Sequence, residues 1–125
     1  MASGVVFGNA ASDGRARRGW FVGSFLESGD GLRRTGHLEV KWAVHPAGDC
    51  RESWSFNREA TSLSILVSGR FRLRFADGEV VLAAPGDYAL WAPGIGHCWW
   101  AEEPSVIMSV RWPSQMGDSV AMAPP

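Results

Sequence analysis

From Trp20 onward the apolar residues of this chain recur with a period of two, in short runs rich in Val, Phe and Trp that turn residues cut apart. That pattern restricts the chain to β-structure. Strands are expected at Trp20 to Leu26, His37 to His45, Arg51 to Phe56, Ser62 to Val67, Arg70 to Phe75, Glu79 to Leu82, Tyr88 to Trp91, His97 to Ala101 and Val106 to Trp112. Turns are written between them as Ser28-Gly29-Asp30-Gly31, Pro46-Ala47-Gly48-Asp49, Asp77-Gly78, Pro85-Gly86-Asp87 and Glu102-Glu103-Pro104. Short strands at regular spacing indicate an antiparallel sandwich or barrel. No segment carries a helical period, so no helix is expected.

The clearest hairpin joins Phe71-Arg72-Leu73-Arg74-Phe75 to Glu79-Val80-Val81-Leu82, and Asp77-Gly78 is read as its type I′ turn. Alternation sends Phe71, Leu73 and Phe75 to the core and Arg70, Arg72 and Arg74 to solvent. Tyr88 to Trp91 and Val106 to Val110 are apolar on both faces. Something must therefore cover an outer sheet face: the segment around Trp20-Phe21-Val22 folded over it, or the second subunit of a homodimer.

With 125 residues and 46% hydrophobic content the chain has room for one domain and enough apolar mass for its core. A formal net charge of -1 gives no drive toward nucleic acid or an anionic membrane. Two cysteines, Cys50 and Cys98, are too few for a disulfide framework, and neither a secretory signal nor a run of roughly 20 apolar residues is present. The expectation is a soluble cytoplasmic protein with free thiols. Residues 1–18, with Arg15, Arg17 and Arg18, are expected as a flexible arm, residues 19–113 as the domain, and residues 114–125 as a flexible tail.

One stretch carries candidate chemistry. Gly86 to His97, GDYALWAPGIGH, sets one histidine at the start of a strand after a tight Pro93-Gly94-Ile95-Gly96 turn. Together with Ser68-Gly69-Arg70, Asp77-Gly78 and Pro85-Gly86-Asp87, this resembles the small single-domain cupins of the cupin-2 or RmlC-like kind, over roughly Gly36 to Trp112. The resemblance implies an all-β, antiparallel jelly-roll barrel, the double-stranded β-helix.

The second motif of that family, G-x5-P-x-G-x2-H-x3-N, falls on Gly86, Ala92, Gly94, His97 and Ala101, so its glycines and histidine are kept. The first motif, G-x5-H-x-H-x3-4-E-x6-G, ends on Gly69 and puts its glutamate position on Ser62. Its histidine positions fall on Ser55 and Asn57, or on Phe56 and Arg58 with the shorter spacing. The family's divalent metal thus loses every ligand but His97, and a lone imidazole does not hold an ion against water. No metal and no other cofactor is expected. A rebuilt site would need His37, His45, Glu52 or Glu59. Cys98 directly follows His97, and strand alternation points its thiol to the other face.

In the register of the resemblance, Ser55, Asn57, Ser62 and Ser64 face inward opposite His97 and Trp99, an uncharged hydrogen-bonding pocket with an aromatic wall. His37, Glu39, Lys41 and His45 alternate onto one face of their strand, which reads as a solvated face. Were it instead to line the barrel mouth, Lys41 and His45 would join His97 as catalytic candidates, with Glu52 as a further acid/base partner. The expected function is a metal-free, cupin-like binder of a small molecule, with His97 available for isomerase, epimerase, cyclase or lyase chemistry. The alternatives are a metal-dependent cupin oxygenase or isomerase with a rebuilt ligand set, and a non-catalytic sensor or assembly module. Neither nucleic acid nor membrane is an expected partner.

Overall fold

The computed structural model describes residues 4–125. Ten strands carry the chain: β1 (Trp20–Val22), β2 (Glu39–His45), β3 (Cys50–Asn57), β4 (Thr61–Ser68), β5 (Phe71–Phe75), β6 (Gly78–Leu82), β7 (Tyr88–Trp91), β8 (His97–Ala101), β9 (Ser105–Trp112) and β10 (Ser119–Met122). They form two antiparallel five-stranded sheets, ordered β1-β2-β9-β4-β7 and β10-β3-β8-β5-β6. Apart from the neighbouring pairs β1–β2 and β5–β6, consecutive strands alternate between the sheets, so β3 and β4 lie in different sheets while β4 pairs with β9. This is the jelly-roll, double-stranded β-helix arrangement.

The core lies between the sheets, where Leu66, Phe71, Leu73, Leu82, Ala89, Ala101 and Ile107 pack together. Burying each large member stabilises the fold by roughly 1.5–3 kcal/mol. Each inward residue is the one its strand's alternation selects, which is why β5 buries Phe71 and Leu73 and turns Arg72 and Arg74 outward. The β4–β5 corner depends on Gly69, whose φ of 96° no β-carbon tolerates well and whose backbone lies against Pro104 and Ser105.

Four details depart from the sequence expectations. The β5–β6 turn is centred on Ala76 and Asp77, one residue earlier than expected, because Gly78 pairs with Phe75. Neither central residue has positive φ, so the turn is not type I′. A short helix α1 (Ala10–Asp13) and a 3-10 turn at Arg15–Arg17 occupy the segment read as an arm, with Asn9 capping α1 by accepting from the Ser12 amide at 3.1 Å. Four residues are too few to show a helical period.

The C-terminal segment read as a fraying tail supplies β10, which pairs with β3 from Ser119↔Asn57 to Met122↔Trp54. Its anchor is Asp118, whose carboxylate accepts from Asn57 Nδ2 at 3.0 Å and from the Glu59 and Ala60 amides at 2.8 and 3.1 Å. The fourth departure is at β1, which extends the edge of the first sheet beside β2 and does not fold over its face. The outer face of that sheet carries two apolar rows, Val40-Val110-Leu63-Leu90 and Trp42-Met108-Ile65-Tyr88. Leu90 and Tyr88 are exposed at 55% and 64%. No helix among the described residues is long and apolar enough to cross a membrane.

Candidate functional site

Inside the barrel lies a cavity of about 50 Å³, bounded by Lys41, His45, Arg51, Ser62, Ser64, Trp91, His97, Trp99, Ser109 and Arg111. It opens past Trp20 into a groove of about 710 Å³ edged by Arg15 and Arg18 of the N-terminal segment and by Asp49. Three strands deliver the cations: β2 presents Lys41, β3 presents Arg51 and β9 presents Arg111. The pocket expected to be uncharged is therefore cationic.

The polar face of β2 settles this. Lys41 and His45 share the inward side with the buried Ala43, while Val44 stands 65% exposed on the other. The face read as solvated is the barrel lining, and the apolar face is outside. A lone strand with one polar and one apolar face is normally read the opposite way. Here β9 and β4, hydrogen-bonded beyond β2, continue the same inversion with Ser109, Ser62 and Ser64 inside.

Lys41 has no carboxylate within ion-pair distance among the described residues. Burial, then the neighbouring Arg111, Arg51 and Arg18, lowers its pKa to about 8, with Asp49 opposing them. Its Nζ lies 5.6 Å from the Trp20 ring, and the Arg111 guanidinium lies 4.7 Å from the same ring, so one indole faces both cations at the cavity mouth. Among the described residues Arg111 has a single acidic partner, Glu39, at 3.5 Å, and Glu39 also accepts from the Ser114 hydroxyl at 2.9 Å.

Arg51 donates through Nη2 to the Ser55 hydroxyl, and the same nitrogen lies 3.5 Å from His97 Nε2. Its Nε is buried with no partner among the described residues, as are Ser62 Oγ and Trp91 Nε1. Buried donors without acceptors are costly, and here three cavity-lining side chains hold one. His97 is buried between Trp91, at 4.9 Å between ring centroids, and Phe75, at 6.4 Å, with Nδ1 3.4 Å from the Ile95 carbonyl. Burial first, and Arg51 next, push its pKa down to about 4. At neutral pH the ring is uncharged, donates from Nδ1 to Ile95 and turns its Nε2 lone pair toward Arg51.

His45 is the better-placed acid/base group. Its Nδ1 lies 2.7 Å from Asp49 Oδ2, which leaves Nε2 as an acceptor, and its ring packs on Trp99 at 4.5 Å and Phe71 at 5.4 Å. Burial lowers its pKa, and the Asp49 hydrogen bond opposes that shift.

Of the residues singled out in the sequence, Lys41, His45, Ser62, Ser64, His97 and Trp99 meet in this cavity. Ser64 bonds Ser109 across β4 and β9 at 2.8 Å. Ser55 faces His97 and is taken up by Arg51. Asn57 is turned to Asp118, in the anchor of β10. Glu52 is exposed, as are His37 and Glu59. Glu52 follows the inward Arg51, and β-alternation sends it to the opposite face, away from the cavity. Cys98 is buried on that outer side, paired with Arg74.

Arg51, Arg111, Ser109 and Trp91 were not anticipated. The signal was there in parity: Arg51 stands an even number of residues from Ser55, Arg111 from the buried Ile107, and Trp91 from the buried Ala89.

A divalent metal is what the resemblance implies beside His97, and the donor set does not fit one. Ser55 and Ser62 stand at two of the positions for its partners, and among the described residues no three His, Cys, Asp or Glu side chains converge. The guanidinium of Arg51 lies against Nε2, the nitrogen a metal would need, and a second cation there would face a fixed positive charge.

No family model and no curated protein matches the sequence. Solved structures do match the fold. A double-stranded β-helix protein from Klebsiella pneumoniae subsp. pneumoniae superposes with a TM-score of 0.62 at 22% identity, over 71% of this chain and 77% of that one. KdgF from Halomonas sp. gives 0.59 at 20% identity, over 65% and 74%. A cupin protein from Bacteroides fragilis gives 0.57 at 19%, over 70% and 80%. The DMSP lyase DddQ from Ruegeria pomeroyi gives 0.60 at 17%, over 73% of this chain and 46% of its own. Two five-stranded sheets, the glycine-turned corners and these superpositions give this chain the cupin fold, the double-stranded β-helix.

Proposed function

We propose that this protein binds a small organic carboxylate inside its barrel, without a metal, and that Lys41, Arg51 and Arg111 are its anchors. The observation that carries the reading is the imbalance of the cavity: three cations converge on one space, and among the described residues the one carboxylate at ion-pair distance is Glu39, on Arg111. A carboxylate supplies what is missing. It compensates the burial and the cationic neighbours that depress the Lys41 amine, and it gives the donors of Arg51 and Trp91 that lack a partner among the described residues an acceptor. Trp99, Phe71 and Trp91 offer apolar walls for the rest of the ligand. Where chemistry follows, His45 with Asp49 is the acid/base pair and His97 holds Arg51 in place. One structural neighbour is a lyase, so the fold does host catalysis.

The test is a ligand panel read by thermal shift and calorimetry, with lactate, malonate, glycerol and glucose. The carboxylates should raise Tm and the neutral polyols should not. Stabilisation by polyols alone would refute the reading.

The apolar outer face of the first sheet is the second element of the proposal. Its rows bear no charge, so only an equally apolar and uncharged surface matches them, and a second copy of the chain brings one. Light scattering should give a dimer, and Leu90→Arg should give a folded monomer. A wild-type monomer at micromolar concentration would remove the homodimer.

A further inference from the structure

The chain contains eleven arginines and a single lysine, and that lysine is Lys41, inside the barrel. Every other permanently charged cationic side chain is a guanidinium, which no physiological pH deprotonates and which is no nucleophile. An arginine at position 41 would have served charge as well. What a lysine adds is an amine that can lose its proton and attack.

We infer that Lys41 is an imine-forming nucleophile, and that the ligand of this barrel is a small 2-oxo acid whose carboxylate is held by Arg51 and Arg111 while its carbonyl carbon meets Nζ. The inference rests on the carboxylate reading above and names its substrate class. Geometry supports it in three ways. Lys41 lies inside the same cavity as both arginines, with Ser109 as its β9 neighbour in register and Trp20 over the mouth. No carboxylate pairs with the amine among the described residues, so no fixed partner holds it protonated. The groups that face it are Arg111 from β9, Arg51 from β3, Arg18 from the N-terminal segment and Asp49 from the β2–β3 turn, and three of these four are cations that favour the free base.

The step balances without any redox partner. The Nζ lone pair forms a bond to the carbonyl carbon as the C–O π pair moves to oxygen, giving a tetrahedral adduct whose nitrogen still carries both amine protons. The nitrogen then gives up its two protons, both leave with the carbonyl oxygen as water, and the nitrogen lone pair closes the C=N bond. Amine and ketone become imine and water. The imine is an electron sink for whatever bond of the bound acid breaks next, and His45 lines the same cavity as the available base.

Reductive trapping tests this on the whole chain. Pyruvate with sodium cyanoborohydride should leave one N-carboxyethyl group on Lys41, found by intact mass and peptide mapping, at about tenfold the rate at the N-terminal amine. Acetone, which has the carbonyl and lacks the carboxylate, should label Lys41 no faster than it labels that amine. Labelling with pyruvate should climb as pH rises from 7 toward 9, through the lowered amine pKa. Lys41→Arg should lose the trapped adduct, whereas Arg72→Gln, on the outer face of the second sheet, should keep both the trapping and the Tm shift with lactate. Lactate stabilisation without enrichment of pyruvate at Lys41 would overturn the imine and leave the carboxylate site standing. Failure of both lactate and pyruvate to bind would overturn the two together.

Discussion

Two trios of cations stand in different regions of this molecule, and they are treated in opposite ways. On the outer face of the second sheet, Arg70, Arg72 and Arg74 form a ladder that Glu102 and Glu79 close: Arg70 and Arg72 donate to Glu102 at 2.6 Å each, and Arg72 and Arg74 reach Glu79 at 2.7 and 3.2 Å. Inside the barrel, among the described residues, Arg111 alone has a carboxylate at ion-pair distance, Glu39, and Lys41 and Arg51 have none. Water screens the outer trio, yet it is the one with carboxylates; the inner trio is desolvated and short of them. A stable fold gains nothing from that arrangement, which is the ground for proposing a ligand as the missing acceptor.

The largest effect that sharpens this comparison is on binding. Arg51→Gln and Arg111→Gln should each weaken malonate at least about 30-fold by calorimetry, because a desolvated charge pair carries roughly 2–5 kcal/mol. Arg72→Gln and Arg74→Gln on the outer ladder should leave the Kd within about twofold, since exposed ion pairs contribute little. Equal losses from both sets would break the comparison.

Acid stability comes next. The folded pKa of His97, about 4, lies below its ordinary 6.5, so the unfolded chain takes up this proton first. Stability from this group is complete above pH 6.5 and is lost as pH falls toward 4, by up to roughly 3 kcal/mol. Urea unfolding at pH 7 and pH 4 should show His97→Gln with a smaller loss than wild type. An identical loss in the variant would mean that the ring does not carry the effect.

Lys41 has the same sign in a higher window. Its depressed pKa penalises the protonated folded state below pH 8, and the penalty fades as pH rises from about 8 to 10.5. Lys41→Met, which keeps the apolar stem, should therefore stabilise the ligand-free protein at pH 7 by up to about 2 kcal/mol, part of the cost being screened at the groove mouth. That gain should vanish near pH 10. Smallest of all is Arg74→Ala, whose melting midpoint should match wild type within measurement. A clear destabilisation there would show that the outer ladder is more than a solvated face.

Much of the fold was legible in the residues themselves. Asp77-Gly78 marked the right hairpin to within one residue, and Gly86 to His97 marked β7, its turn and the start of β8. Phe71 and Leu73 went inward and their arginine neighbours outward, as alternation requires. The site was less legible. Arg111 ends a strand that reads as apolar throughout, and Arg51 stands where the apolar alternation of β3 has not yet begun, so neither drew attention. Strand β10 was hidden because its four residues pair only once Asp118 has seated against Asn57, Glu59 and Ala60.

What the sequence determined alone was the period: where each strand runs, where each turn falls and which residues share a face. Period two divides a strand into two faces without saying which is inside. For β5, with phenylalanine and leucine on one face and arginine on the other, the hydrophobic effect decides locally. For β2 it does not, because the apolar face of Val40, Trp42 and Val44 extends into the rows of Val110, Met108, Leu63 and Ile65 on neighbouring strands, an outer surface that exists only once the sheet is assembled. The tertiary structure alone turned Lys41 and His45 inward and set them beside Arg51 and Arg111.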